Sequence, residues 1–146
     1  MEINIIKKNK EMNKIEVIVS WSGDNYCAGS GNIGGVVLVT HKTYEGLKKE
    51  FAETFKFHIE GCMADGDAIP EYIKNGEYEF DFKLHTSALL HRIDGIITRA
   101  AIARITGINE KQLGHYLTGY RNPRPSQREK IINGLHKIGQ EFITVV

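Results

Sequence analysis

Arginine is missing from the first 86 residues of this 146-residue chain, and cysteine is scarce throughout it. Two cysteines, Cys27 and Cys62, are too few for a disulfide framework or a four-thiolate metal site. Nothing requires them to pair, so reduced, buried thiols are the expectation. Long apolar runs are missing too. None approaches the ~18 residues of a membrane span, and the start MEINIIKKNKEMNK has no apolar core of signal-peptide length. These absences point to a soluble cytoplasmic protein with no membrane partner.

Net charge is only +1, but it is unevenly spread. Residues 1–86 hold 10 Lys, no Arg and 14 acidic residues, for −4; residues 87–146 hold 3 Lys, 6 Arg and 4 acidic residues, for +5. Arginine is the better bidentate partner for phosphate and guanine. The split is that of an acidic, partner-binding part and a basic, DNA-binding part. An apolar fraction of 41% supports a folded chain, as one domain or two small ones.

The basic part carries the most specific pattern, ITRAAIARITGINEKQLGHYLTGYRNPRPSQR over residues 97–128. Ala100, Ile102, Ala103 and Ile105 mark one face of a short helix that Thr98 caps and Gly107 ends. Asn109 suits the N-cap of a second helix with Leu113, Tyr116 and Leu117 on one side. Gly119 suits the left-handed position after it. Two short helices joined by a Gly-containing turn are a helix-turn-helix, whose second helix enters a major groove. Thr98 and Arg99 start the first helix, where free N–H groups meet phosphate. Asn109, Glu110, Lys111, Gln112 and His115 offer hydrogen bonds to base edges, Gln112 suiting adenine and Lys111 guanine or phosphate. Arg121 and Arg124 follow where a DNA backbone would pass. Pro123 and Pro125 stiffen the exit, and another helix starts at Ser126.

Residues 1–12 fit either a frayed start or a short leading strand. From Lys14 the chain alternates, with Ile15, Val17, Val19 and Trp21 on one side and Ile18 breaking the pattern. Ser22-Gly23-Asp24-Asn25 signals a hairpin. Tyr26-Cys27-Ala28 begins a second strand, which Gly29-Ser30-Gly31-Asn32 interrupts as a bulge or second turn. Residues 35–40 are apolar on both sides and read as a central third strand. A helix from Thr43 to Gly61 presents Tyr44, Leu47, Phe51, Phe55 and His58 or Ile59 on one face. A helical turn is expected over 69–74. Tyr78, Phe80, Phe82 and Leu84 alternate with Glu77, Glu79, Asp81 and Lys83, giving the clearest strand and an acidic outer edge, a dock for a basic partner through Glu77, Glu79 and Asp81.

Enzyme chemistry finds little footing. Gly29-x-Gly31-x-x-Gly34 leads into a strand, whereas a dinucleotide fingerprint opens a helix. Asp24, Glu45, Glu53, Glu79 and Asp81 form no constellation for metal-dependent nuclease chemistry. Asp65-x-Asp67 with Glu71 is half a calcium loop. His58 and Cys62, four apart, are two ligands and not a zinc site. His41, His85 and His91 stand singly. No catalytic residue, metal or cofactor is expected.

The run from Ala103 to Asn109, Leu113, and Gly119-Tyr120-Arg121-Asn122-Pro123-Arg124-Pro125 resemble the lambda-repressor-like (Xre-type) helix-turn-helix family. The order strand, strand, strand, helix, strand, helix-turn-helix resembles the HicB antitoxin family over roughly residues 14–145, as does the tail Gly134-Leu135-His136-x-x-Gly139-x-Glu141. The Gly-rich segment 29–35 departs from the usual family run. The resemblance implies an α+β fold. Residues 1–86 would form a small antiparallel-type sheet with one packed helix, partial RNase H-like and non-catalytic, which blocks a small HicA-like toxin that cleaves messenger RNA. Residues 87–146 would form an all-α helix-turn-helix domain that binds the operator as a homodimer or higher homo-oligomer. Its helices are expected at 87–94, 98–106, 109–118 and 126–140, with Phe142 to Val145 as a terminal strand or dimer contact. The alternative is a stand-alone transcriptional regulator that senses a ligand through the 23–35 loops.

Overall fold

The computed structural model describes residues 12–31 and 35–146; the expectations for residues 1–11 and for the 32–34 part of the Gly-rich tract lie outside them. In chain order the elements are β1 (Asn13–Ser22), β2 (Asn25–Ser30), β3 (Val37–His41), α1 (Tyr44–Ala64), α2 (Glu71–Lys74), β4 (Tyr78–Leu84), α3 (Thr86–Ile93), α4 (Arg99–Thr106), α5 (Glu110–Leu117) and α6 (Pro125–Ile143). The class is α+β.

Hydrophobic alternation builds the sheet. Ile15, Val17 and Val19 of β1 are buried, while Glu16 and Ile18 face outward. Gly23 takes φ +60° in the two-residue loop that joins β1 to β2, a conformation glycine adopts without strain. The strand order is β3-β2-β1-β4. β1 with β2 and β2 with β3 pair antiparallel, but β4 lies parallel to β1, with Ile15 opposite Phe80 and Val17 opposite Phe82. The sheet is therefore mixed and not of the antiparallel type expected. Hairpins join antiparallel neighbours, whereas α1 acts as a crossover that returns the chain beside β1 in the same direction.

Two further expectations change. β2 runs through Gly29 and Ser30, pairing them with Leu38 and Val37. β3 is an edge strand and not a central one, and Leu38 is 74% exposed. Apolar residues on both sides of β3 did not imply two covered faces, because α1 packs on one face of the sheet.

Thr43 caps α1, its Oγ1 accepting the Gly46 N–H at 3.1 Å. Leu47, Phe51, Phe55, Ile59 and Cys62 form its buried stripe. Cys62 continues that stripe, so the helix passes Gly61 and ends at Ala64; packing outweighs the weak helix preference of one glycine. Phe51 and Phe55 meet Phe80 edge-on at 5.2 and 5.1 Å, which ties α1 to β4. A second core joins Leu90, Ile102, Ile108, Leu113, Tyr116, Leu117 and Ile131 of the C-terminal helices. Gly134 lets α6 lie close to α4: a Cβ there would stand 2.9 Å from Ile105 Cγ2. α6 extends to Ile143 and Thr144 caps it, so Phe142 to Val145 form no terminal strand.

The two cores meet along α3. Ala88 belongs to the first and Leu90 to the second. The His91 ring stacks on Trp21 of β1 at 3.7 Å, and the Trp21 backbone N–H donates to Ser87 Oγ at 3.1 Å. Arg92 pairs with Glu45 of α1 at 3.1 Å and lies over the Tyr44 ring.

Phe51→Ala should cost about 3–5 kcal/mol in urea unfolding, and Leu38→Ala less than about 0.5 kcal/mol. Burial holds the His91 pKa below its ordinary value, against smaller opposing effects of the Leu117 backbone and Asp94. The unfolded chain, with histidine near ~6.5, therefore binds its proton first, and stability falls as pH drops below about 6.5. Fluorescence of Trp21, the single tryptophan, should report a urea midpoint that is level above about pH 7 and declines just below 6.5. His91→Phe keeps an aromatic ring in the stack and should remove that decline; an equal decline in both chains would exclude His91 as its source.

Candidate nucleic-acid interface

The α4–α5 pair is fixed by local chemistry at every joint. Thr98 Oγ1 accepts the Ala101 N–H at 3.1 Å and so caps α4. Gly107 ends α4 with φ +73°, its N–H donating to the Ala103 carbonyl at 2.8 Å. Ile108 follows, 3% exposed, its N–H donating to Thr106 Oγ1 at 3.2 Å. The Thr106 hydroxyl itself donates to the Ile102 carbonyl at 2.7 Å. Asn109 Oδ1 then accepts the Gln112 N–H at 2.8 Å and starts α5. Three linking residues thus have three tasks: a left-handed turn, a buried anchor and a cap.

Helix α5 buries Leu113, Tyr116 and Leu117. That burial turns the opposite face outward. Glu110 and Lys111 are exposed, and Gln112 and His115 are half-buried. The Gln112 amide donates to the Tyr116 hydroxyl at 2.7 Å, which orients it along the helix and leaves its carbonyl oxygen and second N–H for another partner. His115 lies 5.0 Å from the exposed Tyr120 ring. The Arg121 guanidinium lies 5.8 Å from the centre of the same ring.

A polar cleft of about 410 Å³ opens between the end of α5 and the start of α6, lined by Gln112, Tyr116, Arg121, Asn122, Arg124 and Gln127. Three of the residues expected from sequence, Gln112, Arg121 and Arg124, are brought together here. Arg99 comes close to α5: a Cβ on Gly114 would lie 3.2 Å from its Nη1. Arg99 also pairs with Asp94 at 3.4 Å, both about half exposed, so a stronger anion displaces that contact at little cost. Thr98 and Asn109 are exposed, but their side chains are engaged as caps, so each offers mainly backbone at a helix start. Glu110 sits in the first turn of α5, where it favours the helix dipole and disfavours phosphate.

Asn122, Gln127 and Gly114 were not among the expected site residues. Gln127 Oε1 is buried with no hydrogen-bond partner among the described residues. Its one sequence signal is its place in the first turn of the helix that Arg124 precedes. Gly114 has none, since its closeness to Arg99 depends on how α4 and α5 meet.

The acidic residues expected to dock a partner lie on and beside β4. Glu77 precedes the strand, and its carbonyl accepts from the Asn13 side chain at 3.3 Å. Glu79 is exposed, and Asp81 pairs with Lys83 at 3.1 Å. Across the parallel ladder Glu79 faces Lys14 and Asp81 faces Glu16, so the outer face carries both signs.

Elsewhere, Cys62 Sγ lies 3.6 Å from His58 Nε2, and burial, with Asp67 adding to it, pushes the thiol pKa up. A raised thiol pKa is the reverse of what a nucleophile needs. No disulfide joins Cys27 to Cys62. Among the described residues no group of three or more His, Cys, Asp or Glu side chains is placed to hold a metal ion. Among them, too, no helix is long and apolar enough to cross a membrane. Comparisons with known protein families, curated proteins and solved structures give no match to the chain.

Asn109→Ala should cost about 1 kcal/mol, and Asn109→Gly only a few tenths, in thermal or urea unfolding. Equal losses would mean that the side-chain cap contributes nothing beyond backbone geometry.

Proposed function

We propose that this chain is a HicB-like antitoxin of a type II toxin–antitoxin system, binding and silencing a HicA-like toxin and repressing its own operon through duplex DNA. The observation that carries the reading is the outward face of α5. Lys111 is exposed there, Gln112 is oriented by Tyr116, and arginines stand at either end of the unit. In a helix-turn-helix, such a second helix presents its polar side to base edges while flanking arginines meet the phosphates. Gln112 matches the N6/N7 pair of adenine, and Arg121 and Arg124 at the cleft match a backbone passing the exit of α5.

The N-terminal unit supports the other half of the reading. Three antiparallel strands, a covering helix and a fourth strand returning parallel to the first suit a partial RNase H-like sheet. Its carboxylates are scattered. Asp24 is in the β1–β2 turn, Glu45 and Glu53 are on the exposed side of α1, and Glu79 and Asp81 are on the outer sheet face. That dispersal fits a binding unit without catalysis. Glu16, Glu79 and Asp81 outnumber Lys14 and Lys83 on that face, a modest attraction for a basic toxin. The working form is a cytoplasmic homodimer, because one such module covers a single half-site.

Titrating the full chain onto a duplex from its own promoter tests the DNA half. Arg121→Ala should weaken binding to all sequences and reduce the salt slope by about one. Gln112→Ala should cost about 1–3 kcal/mol on the preferred duplex and much less on a scrambled one. Affinities unchanged by both substitutions would remove α5 and its exit from the interface.

A further inference from the structure

A cavity of about 440 Å³ lies where the end of β1, the start of α3, the end of α5 and the start of α6 meet. That is within the ~300–1,000 Å³ usual for small-molecule sites. Among the described residues no carboxylate lines it, and its wall is rich in donors. Helix α3 starts here without a side-chain cap and without an acidic residue in its first turn. The backbone N–H groups of Thr86, Ser87 and Ala88 take no acceptor among the described residues, so the positive end of the helix dipole is uncompensated. Thr86 lines the cavity at 6% exposure, and its hydroxyl has no hydrogen-bond partner among the described residues. A hydroxyl so deeply buried calls for a partner, and the cavity is the side from which one can reach it. Ser87 Oγ accepts the Trp21 backbone N–H and the Tyr116 hydroxyl accepts the Gln112 amide, so each keeps its own proton to donate. Arg128 lines the cavity, is exposed, and pairs with no carboxylate among the described residues. Trp21 and Pro123 supply apolar surface beside these donors.

We infer that this cavity binds a small phosphate monoester, with the phosphate at the start of α3 and the organic part along Trp21 and Pro123. Three backbone N–H groups, the Thr86 hydroxyl and the Arg128 guanidinium exceed the roughly four lone-pair sites of a carboxylate and suit the three terminal oxygens of a phosphate. The site draws on neither Lys111 nor Arg121 nor Arg124, so it stands whether or not α5 meets DNA.

Trp21, the single tryptophan, lies in the wall and reports occupancy by its fluorescence. The full chain is titrated at about pH 8, where a monoester is a dianion, with phenyl phosphate, inorganic phosphate and benzoate at matched ionic strength. Phenyl phosphate should saturate the signal and bind about 10-fold tighter than inorganic phosphate, which lacks the ring, or benzoate, which lacks the third oxygen. Thr86→Val, which keeps the side-chain shape, and Arg128→Gln should each weaken phenyl phosphate about 10-fold, since each removes a hydrogen bond to a charged group. Thr86→Ser should restore most of the binding, and Lys56→Gln on the exposed side of α1 should leave it unchanged. Circular dichroism checks each fold; Arg128 is exposed, so its variant reads the site even if Thr86→Val unfolds. No saturation by ~10 mM, benzoate binding as tightly, or full affinity in both variants would overturn the site. Inorganic phosphate binding as tightly as the ester would overturn the place given to the organic part. Promoter duplex that competes with phenyl phosphate, and itself binds Thr86→Val about 10-fold more weakly, would give the cavity to DNA phosphate and overturn the small ligand. Phenyl phosphate bound by a chain that ignores duplex DNA would leave the site standing and remove the DNA-binding role.

Discussion

Ile108 is the residue on which the C-terminal unit turns. Buried between a left-handed glycine and a capping asparagine, it pins the link between α4 and α5 to the second core. With that link pinned, the roll of α5 about its axis is decided by Leu113, Tyr116 and Leu117 alone. The polar side then has one direction in which to face. An outward surface defined by what is buried beneath it has its backbone already in place, so that ordering it for a partner costs only the side-chain freedom.

Helix α3 extends this rigidity to the sheet. Its first half belongs to one core and its second half to the other, and three different contacts hold it to β1 and α1: a ring stack, a hydrogen bond and an ion pair. The sheet and α5, the two surfaces proposed to take a partner and a duplex, are thereby joined through a packed element and not through a loose linker. Only the ion pair in this joint is largely solvated, and it contributes least. The stack of His91 on Trp21 is half-buried, and the burial that lowers the His91 pKa makes this contact sensitive to protons.

Much of this was legible in the sequence, and the reason is locality. The caps Thr43, Thr98 and Asn109 and the alternation from Tyr78 to Leu84 are set by neighbours within a few positions, and each stands where its residue type predicts. The non-local features were not legible. That β3 sits at an edge, that β4 runs parallel to β1, and that α1 passes Gly61 all depend on which distant surface each stretch meets. Trp21 and His91 are seventy positions apart, and nothing in either neighbourhood announces the stack. In the candidate interface the exposed residues of α5 followed from helical spacing. The cleft did not, since Gln127 reaches it from another helix.

The most direct test of the central claim is to follow the backbone amides of the full chain by nuclear magnetic resonance while duplex promoter DNA is added. The account predicts shifts concentrated at Thr98–Arg99, along Asn109–His115 and at Arg121–Arg124, with the buried sheet core at Val17, Val19 and Phe51 unmoved. Shifts centred on the sheet face, or none at all at a salt concentration where basic helical modules bind DNA, would contradict it.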